Sequence, residues 1–421
     1  MKAGEEKTRT MLIWPPAASL YDNLCYHYCA FGEVAGYLDR LTRLEVIDAA
    51  VASRSLNDVA ARILAFQPDF IIFYHDFDIL PWVPPLVALI RAVSDARIYT
   101  YGPPGMYSQR PFLEMGIDGV VHDGDWEYAL GSCLEEPDAP RGVVTRSSRL
   151  EGRRLPSSEW GFPPLEKLPV EDYKAWGRVP KPNSERAGLM GLSEFSLTLT
   201  RGCGRRCRFC KTPAIEGLEH RKRDLAEAAD FIAEAVGRYG FDYFSVYSPN
   251  FTMDREYAAG FAREMKRRGI AWKCVTSLDF LDPDILGVMA EGGCRRIGVG
   301  VETFSAAAAE NLQLRKNHRP VEEIASLCRK AGVELHCFLM LGIPGEERTA
   351  FVEGVRGLMG AGASVRITSY VPLQDLSRDS SWNDLVRMNR KTYCCSLPAG
   401  MSRREFSEII FDQDRWIRKI L

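Results

Sequence analysis

The strongest chemical signal in the sequence is a short run of cysteines in the middle of the chain. Cys203, Cys207 and Cys210 form the pattern CxxxCxxC, directly after a predicted strand at 193–200. Thiolates are good ligands for iron, and iron–sulfur clusters are normally held by cysteine. Three closely spaced thiolates reach three corners of one cubane and leave the fourth iron open to another ligand. The pattern therefore predicts a [4Fe–4S] cluster.

Two other interpretations of the cysteines are open. A zinc site would need a fourth ligand, for which His220 is the candidate. Alternatively, the three residues are incidental cysteines of a loop. Residue type, spacing and position after a strand together favour the cluster. Three nearby arginines would offset the negative charge of cluster and thiolates, namely Arg205, Arg206 and Arg208.

The cysteine pattern resembles that of the radical S-adenosylmethionine (SAM) superfamily, in which CxxxCxxC follows the first barrel strand. The resemblance implies that the open iron chelates the amino and carboxylate groups of SAM, and that electron transfer cleaves SAM to a 5′-deoxyadenosyl radical. Three later segments resemble strands and turns of the same family, namely WKCVTS (272–277), VGVETF (299–304) and LGIPGE (341–346). The resemblance runs from about residue 190 to residue 371.

The resemblance also implies SAM contacts at the barrel strands. Phe209 matches the aromatic position before the last cysteine, and Glu302 matches a residue that bonds the ribose or a nearby polar group. Ser248 and Asn250 depart from the acidic turn of many relatives, because they accept hydrogen bonds without carrying charge. Strand alternation predicts that His336 faces the barrel lumen. The predicted SAM contacts are Phe209, Tyr247, Ser248, Asn250, Thr276, Ser277, Glu302 and His336.

The N-terminal half resembles the cobalamin-binding domain of one group in the superfamily. The string YGPPG (101–105) stands where that group has a Gly-Gly loop, and IDGVVHDGDWE (117–127) resembles a second signature. The resemblance implies cobalamin, although the sequence has no D-x-H-x-x-G motif for a lower-ligand histidine. His75 follows a predicted strand and is either a cobalt ligand or packed in its turn. The predicted cobalamin contacts are Pro15, Tyr74, His75, Gly102, Pro103 and Glu127.

Apolar runs that alternate with helical segments predict two α/β domains. Five such runs precede residue 138 and predict a doubly wound, Rossmann-like parallel sheet of the cobalamin-binding type. Six strands after residue 190 predict a partial (β/α)6 barrel. The predicted boundaries are 1–137 for the Rossmann-like domain, 138–190 for a linker rich in Pro, Gly and charge, 191–375 for the radical SAM barrel and 376–421 for a helical tail.

Composition limits the partners of the chain. Its 421 residues are 46% hydrophobic and carry a formal net charge of −2, so no global field recruits nucleic acid. No run of about 18 apolar residues predicts a membrane span. The N-terminal residues have no apolar segment of signal-peptide length, and clustered cysteines in a chain of this size indicate metal binding. We therefore expect a cytoplasmic protein.

Three functions are open from the sequence. The first is cobalamin-dependent methyl transfer to an unactivated carbon of a small molecule, with electrons from a donor such as flavodoxin or ferredoxin. The second is a radical SAM reaction without methyl transfer, with or without bound cobalamin: rearrangement, cyclisation, oxidation or aminocarboxypropyl transfer. The third is non-catalytic binding of an iron–sulfur cluster or zinc. A separate alternative concerns the N-terminal domain, which either binds cobalamin or only supports the barrel. The first fits the whole resemblance.

Overall fold

The computed structural model describes residues 7–16, 27–179, 189, 191–314, 320–390 and 393–421. The chain divides into two compact units, each with its own largely parallel sheet. Unit one comprises Met1–Trp176, Lys211–Gly217 and Gln374–Met388, and unit two comprises Gly177–Cys210, Leu218–Leu373 and Asn389–Leu421. No helix in the described stretches is long and apolar enough to cross a bilayer.

Unit one contains a six-stranded sheet. Its strands are β1 (Arg9–Trp14), β2 (Arg43–Asp48), β3 (Phe70–Tyr74), β4 (Arg97–Tyr101), β5 (Gly119–Val121) and β6 (Val143–Val144). The spatial order is β2-β1-β3-β4-β5-β6, with β1 to β5 parallel and β6 antiparallel to β5. This confirms the doubly wound fold, although the sequence did not predict β6. The strand order reverses between β1 and β3, and such sheets bind ligands beyond the carboxyl ends of the strands at that switch point.

Unit two contains a second six-stranded sheet. Its strands are β7 (Glu194–Thr198), β10 (Tyr243–Tyr247), β11 (Trp272–Thr276), β12 (Cys294–Glu302), β13 (Glu334–Leu341) and β14 (Ser364–Ser369), and β8 (Thr200–Arg201) and β9 (Arg221–Lys222) form a separate antiparallel pair. The order is β14-β13-β12-β11-β10-β7, all parallel, as the predicted partial barrel requires. The sequence did not predict the β8–β9 pair.

The helices lie mostly between successive strands, as the predicted alternation of strands and helical segments requires. In chain order they are α1 (Glu33–Asp39), α2 (Leu56–Phe66), α3 (Val83–Val93), α4 (Pro103–Tyr107), α5 (Arg110–Glu114), α6 (Trp126–Glu135), α7 (Val170–Arg178), α8 (Thr212–Glu216), α9 (Leu225–Tyr239), α10 (Arg255–Arg268), α11 (Pro283–Glu291), α12 (Ala306–Asn311), α13 (Val321–Lys330), α14 (Arg348–Gly360), α15 (Trp382–Arg387), α16 (Arg403–Phe411) and α17 (Gln413–Ile420). Ser55 caps α2 in a capping box with Asp58. A π-helical turn at His27–Gly32 precedes α1 and was not predicted.

The sheet of unit two has two chemically different faces. A Cβ added to Gly298 would lie 2.8 Å from the Phe338 ring and 3.2 Å from Val275, so these residues share one face, the inner face. The other face is covered by helices. There the Cys274 and Cys337 thiols lie close enough to Cys328 of α13 for its charge to raise their pKa, after the larger effect of burial. Period-two alternation therefore separates an inner face from a thiol-rich helix face.

Candidate functional site

The cysteine loop, residues 203–210, follows β7 and β8 in unit two. Cys203 is buried, while Cys207 and Cys210 are partly exposed. A backbone hydrogen bond from the Cys210 amide to the Cys207 carbonyl oxygen, at 3.0 Å, fixes the second half of the loop. Gly202 enters the loop at φ +88°, a conformation that favours glycine. The three thiols therefore belong to one tight turn beyond a strand end.

The thiols of the cysteine loop interact electrostatically. Burial is the largest cause that raises the pKa of Cys207, followed by the negative charges of Cys210 and Cys203, whereas Arg205 lowers it. Arg205 is held in place by an ion pair with Asp279, and its guanidinium lies 5.4 Å from the centroid of a phenylalanine ring. Iron binding would replace the protons of the thiols and leave negatively charged thiolates. Arg205 already partly offsets the repulsion between these negative charges.

The donor set suits an iron–sulfur cluster, because the three candidate ligands of the loop are all cysteine thiols, the usual ligands of such clusters. Zinc would need a fourth protein ligand in a closed site. His220, the candidate fourth zinc ligand, instead lies near Asp254 and Lys222, whose charges act on its pKa after the larger lowering by burial.

Glu302 ends β12 in an unusual conformation. Its φ is +69°, in the left-handed region, and the pairing register with β13 shifts between Gly300 and Glu302. A Cβ on Gly300 would lie 2.2 Å from the Glu302 Oε1 atom, so the side chain folds back over a glycine. Burial raises the pKa of Glu302 to about 7, against the opposing charge of Arg390, and its own charge raises the pKa of Cys207. This strained bulge places a carboxyl group beside the cysteine loop.

A hydrogen-bond network joins the turn after β10 to the end of β11. The Asn250 Oδ1 atom accepts from the Thr276 hydroxyl at 2.8 Å and from the Ser277 amide at 2.9 Å. Its Nδ2 atom donates to the Ser277 hydroxyl at 3.1 Å. Ser248, after Tyr247 at the strand end, contacts the Thr200 hydroxyl. The network brings these predicted SAM contacts together, and it engages both ends of the Asn250 side chain within the protein.

Phe209 and His336 lie in different surroundings. Phe209 packs against the buried cluster of Ala308, Leu312, Ile343 and Tyr370. His336 lies in the first half of β13, where Nδ1 is 2.8 Å from the Ser364 hydroxyl and the ring meets that of Phe338 edge-on at 5.1 Å. His336 shares the inner face, as strand alternation predicts, but it is remote from the carboxyl end of its own strand.

Glu346 is a site residue to which sequence reasoning gave no role beyond opening a helix. Its carboxylate accepts from the Gly342 amide at 2.8 Å and from the Thr303 hydroxyl at 3.1 Å, while α14 begins only at Arg348. Burial is the largest influence on its pKa and raises it to about 7. The carboxylate therefore ties the turn after β13 to the turn after β12. The GIPGE string was the available signal for this role.

Aromatic residues end β1, β3 and β4 in unit one, and a further one begins α6. We call this group the aromatic edge: Trp14, Tyr74, Tyr101 and Trp126. Trp14 stacks on Tyr74 with ring centroids 4.4 Å apart, and Tyr101 lies 5.4 Å from both Tyr74 and Trp126. The indole nitrogens of Trp14 and Trp126 are buried and donate to no described residue. Buried donors normally have an acceptor, so the aromatic edge fits a bound group rich in acceptors.

Comparison with known proteins agrees with the cysteine loop and the two sheets. Residues 197–356 match the Radical SAM superfamily. The segment that carries the cysteine loop is therefore similar to the radical SAM superfamily. The match begins within β7 and runs through β13 into α14, and it includes every predicted SAM contact.

Proteins similar to this chain include methyltransferases. Cytidylyl-2-hydroxyethylphosphonate methyltransferase of Streptomyces wedmorensis is 27% identical over 239 residues, which are 54% of this chain and 44% of that protein. The match thus spans less than half of that relative. Among solved structures, the radical SAM methyltransferase TsrM of Kitasatospora setae has a TM-score of 0.65 at 16% identity and covers 86% of this chain and 72% of that one. The cobalamin-dependent radical SAM enzyme OxsB has a TM-score of 0.64 at 16% identity and covers 99% and 56%.

The predicted cobalamin contacts separate into two groups. Pro15 follows β1 and Tyr74 ends β3, the two strands that flank the switch point. Gly102 follows β4, and Pro103 begins α4. Gly102 has φ +143°, and a Cβ there would lie 1.8 Å from the His75 carbonyl oxygen. These four residues line the carboxyl edge of the sheet, and the turn after β4 requires glycine.

His75 and Glu127 form the second group, which is buried inside unit one. The His75 ring stacks on Phe112 at 4.5 Å, and burial lowers its pKa to about 3. Neither of its ring nitrogens contacts a described polar atom. Glu127 is buried in α6, and its charge raises the pKa of Tyr101 after the larger effect of burial. The structure therefore keeps the His75 ring inside the unit rather than at the surface of the edge.

Proposed function

We propose that this radical SAM enzyme transfers a methyl group to an unactivated carbon of a small molecule, using a [4Fe–4S] cluster, SAM and cobalamin. One observation carries the proposal: a single chain combines the cysteine loop with an aromatic edge at the switch point of a doubly wound sheet. The solved TsrM and OxsB structures are described with cobalamin bound, and TsrM also with a [4Fe–4S] cluster. A second TsrM structure holds tryptophan as substrate.

The chain's own residues bind and orient the cofactors. When bound, the cluster and SAM supply a carbon radical and cobalamin carries the methyl group, so the difficult chemistry belongs to the cofactors. The thiolates of Cys203, Cys207 and Cys210 would hold three irons. Arg205, fixed by Asp279, stabilises the negative charge that iron binding places on the loop. An external donor such as flavodoxin or ferredoxin provides the electron.

The rim around the cysteine loop would position SAM. The network of Asn250, Thr276 and Ser277 makes this rim rigid and neutral. Glu302, held over Gly300, supplies the one predicted carboxyl contact to SAM. Phe209 packs against apolar side chains next to the third cysteine. A fixed rim of this kind orients a bound molecule before reaction, which is the usual contribution of protein to cofactor chemistry.

The test is anaerobic purification from cells supplied with cobalamin, followed by iron and cobalt analysis and incubation with reductant and methyl-labelled SAM. We expect about four irons and one cobalt per chain, formation of 5′-deoxyadenosine, and label on an acceptor molecule. Four irons without cobalt, even after reconstitution with hydroxocobalamin, would contradict cobalamin-dependent methyl transfer. Formation of 5′-deoxyadenosine without label transfer would instead support rearrangement, cyclisation or oxidation.

A further inference from the structure

The cysteine loop and the residues on either side of it carry positive charge and no negative charge. The segment LTRGCGRRCRFCK (199–211) contains neither Asp nor Glu, and its cations are Arg201, Arg205, Arg206, Arg208 and Lys211. The whole chain has a formal net charge of −2. The positive charge is therefore local to the segment that would hold the cluster.

Three of these five cations are engaged within the fold. Arg201 is buried in β8. Arg205 forms an ion pair with Asp279, and Lys211 forms one with Asp76 at 3.1 Å. A cation that is buried or already paired has little to offer another protein, because it would first have to give up its present contacts.

Arg206 and Arg208 differ from the other three, because both side chains are exposed. Of the three loop arginines, Arg205 alone forms an ion pair among the described residues. The backbone turns at Arg206, where φ is +51°. A single exposed arginine is ordinarily only solvated. Here two of them alternate with the cysteines of one turn.

The surface beside these arginines is open and partly apolar. Gly204 is exposed, and within 4 Å of a Cβ placed there lies only the Leu218 carbonyl oxygen, at 3.8 Å. The Leu218 side chain is itself 39% exposed, and the exposed Glu219 follows it. We call Gly204, Arg206, Arg208 and Leu218 the loop face. It combines apolar contact with arginine, as protein interfaces do.

We propose that the loop face is the docking surface for an acidic electron-donor protein of the flavodoxin or ferredoxin type. The proposal rests on the proposed function, which needs electrons at the cluster. Cys207 and Cys210 are partly exposed, so a protein on the loop face lies close to two of the three cluster ligands. The donor is oxidised by one electron and the cluster is reduced by one, and no proton or group moves.

The size and charge of the loop face suit such a donor. Electron-transfer complexes bury little surface and dissociate readily. Complementary charges speed their encounter more than they tighten the complex. Two exposed guanidinium groups beside the cluster ligands would therefore collect an acidic protein and orient it towards the cysteine loop, while Arg205 stays on Asp279.

The test follows reduction of the cluster in the full, reconstituted chain by photoreduced flavodoxin, as loss of visible absorbance in an anaerobic stopped-flow experiment. We expect the second-order rate constant to fall steeply as NaCl rises from about 0.05 M to about 0.5 M, because salt screens exposed charges. Photoreduced deazariboflavin, a small uncharged donor, should show no such dependence. A flavodoxin rate constant that salt does not change would overturn the proposal. So would a cluster that deazariboflavin reduces but neither flavodoxin nor ferredoxin does.

Variants separate docking from an effect on the cluster itself. Arg206→Gln combined with Arg208→Gln should lower the flavodoxin rate constant about 10–100-fold. It should also weaken the binding of oxidised flavodoxin, measured by thermophoresis. Iron should stay at about four per chain, which shows that the cluster still assembles. Arg263→Gln in α10 is the matched control, because Arg263 is also exposed, and it should keep the wild-type rate constant.

Equal losses with flavodoxin and with deazariboflavin would overturn the proposal, because the two arginines would then act on the charge of the cluster. Failure of the proposed function would look different. A chain that flavodoxin reduces in this salt-dependent way, yet that transfers no methyl group, would contradict methyl transfer and keep the loop face. Methyl transfer by a chain whose double variant is reduced at the wild-type rate would do the reverse.

Discussion

The two carboxyl-end sites of the molecule differ in chemistry. The site of unit two is polar: three thiols, the carboxyl of Glu302 and the hydrogen-bonded amide of Asn250 surround the end of its sheet. The site of unit one is aromatic, and its two buried indole donors have no acceptor among the described residues. Thiolates and carboxyl groups suit a metal cluster and a charged cofactor, whereas flat rings suit a macrocycle with many amide acceptors.

The two sites also differ in how the chain assembles them. The cysteine loop occupies eight consecutive positions, 203–210, so a local change there alters the ligands themselves. The aromatic edge joins residues that lie far apart in the chain, from Trp14 to Trp126, through the register of three parallel strands. The cluster ligands are therefore set by one short segment of the chain, whereas the surface at the switch point depends on how the whole sheet is assembled.

The largest expected effect is the loss of the cluster. Serine at Cys203, Cys207 or Cys210 removes one thiolate ligand, so iron content should fall from about four per chain to near zero, with no 5′-deoxyadenosine formed. Cobalamin retention should stay within about twofold of wild type, because unit one has its own fold. Iron analysis and bound-cobalt analysis on the same preparation check both statements.

Cys133→Ala is the matched control for thiol removal, because Cys133 is buried in α6 and donates only to the Ala129 carbonyl oxygen. It should keep full iron. If the loop variants lose cobalt together with iron, the two sites do not bind their cofactors independently, and the contrast between them fails.

A smaller effect is expected at Gly300. Its replacement by alanine places a Cβ 2.2 Å from the Glu302 Oε1 atom and must displace that side chain. We expect SAM affinity of the reconstituted enzyme to fall about 10–100-fold, or about 1.4–2.8 kcal/mol. Gly287→Ala in α11 is the matched control, because nothing lies within 4 Å of its Cβ position. That variant should be neutral or slightly more stable. Unchanged SAM affinity in Gly300→Ala would remove Glu302 from the SAM contacts.

The fold could be predicted because its strands are local patterns. The strand predicted at 193–200 contains β7 (Glu194–Thr198), and the segment WKCVTS (272–277) contains β11 (Trp272–Thr276). The strands β6, β8 and β9 could not be predicted, because strands of two residues leave no periodic signal. The π-helical turn before α1 likewise has no pattern that distinguishes it from an α-helix.

The site was predictable where its chemistry is consecutive in sequence. The CxxxCxxC pattern names the cluster ligands directly, but the hydrogen bond from the Thr276 hydroxyl to Asn250 joins the end of one strand to the turn after another. Glu346 was missed for a similar reason, because its partner Thr303 lies 43 positions away in the chain. Hydrogen bonds between strand ends depend on the pairing register of the strands, which could not be predicted from the sequence.

The pH dependence of stability should have opposite signs in the two units. Glu346 keeps its proton up to about pH 7 in the folded chain but only to about 4.5 when unfolded. Between these values the unfolded chain binds fewer protons, so this carboxyl lowers the free energy of unfolding as pH rises, by up to about 3 kcal/mol. Glu346→Gln should flatten that slope in denaturant titrations at pH 5 to pH 8. Parallel curves for variant and wild type would contradict the shifted pKa.

His75 of unit one has the opposite sign. Burial holds its folded pKa near 3, below the usual 6.5, so its contribution is present above pH 6.5 and is lost as pH falls. Acidification from pH 7 to pH 5 should therefore lower the free energy of unfolding of unit one through His75. Over the same range it should raise the free energy of unfolding of unit two through Glu346. Hydrogen exchange of peptides from β3 and from β13 reports the stability of unit one and of unit two separately. An equal change of exchange rate in both peptides on acidification would contradict the opposite signs.

The smallest expected effect concerns the indole of Trp126. Its Nε1–H is buried and has no acceptor among the described residues, whereas the Trp160 Nε1–H donates to the Leu155 carbonyl oxygen at 3.4 Å. If the aromatic edge uses its orphan donors on cobalamin, Trp126→Phe removes one hydrogen bond to the cofactor and should weaken cobalamin binding about 2–10-fold. Trp160→Phe should instead lower stability by about 1 kcal/mol and leave cobalamin affinity unchanged. Equal cobalamin affinities in wild type and both variants would mean that the edge binds by ring contact alone, because phenylalanine keeps an aromatic surface at both positions.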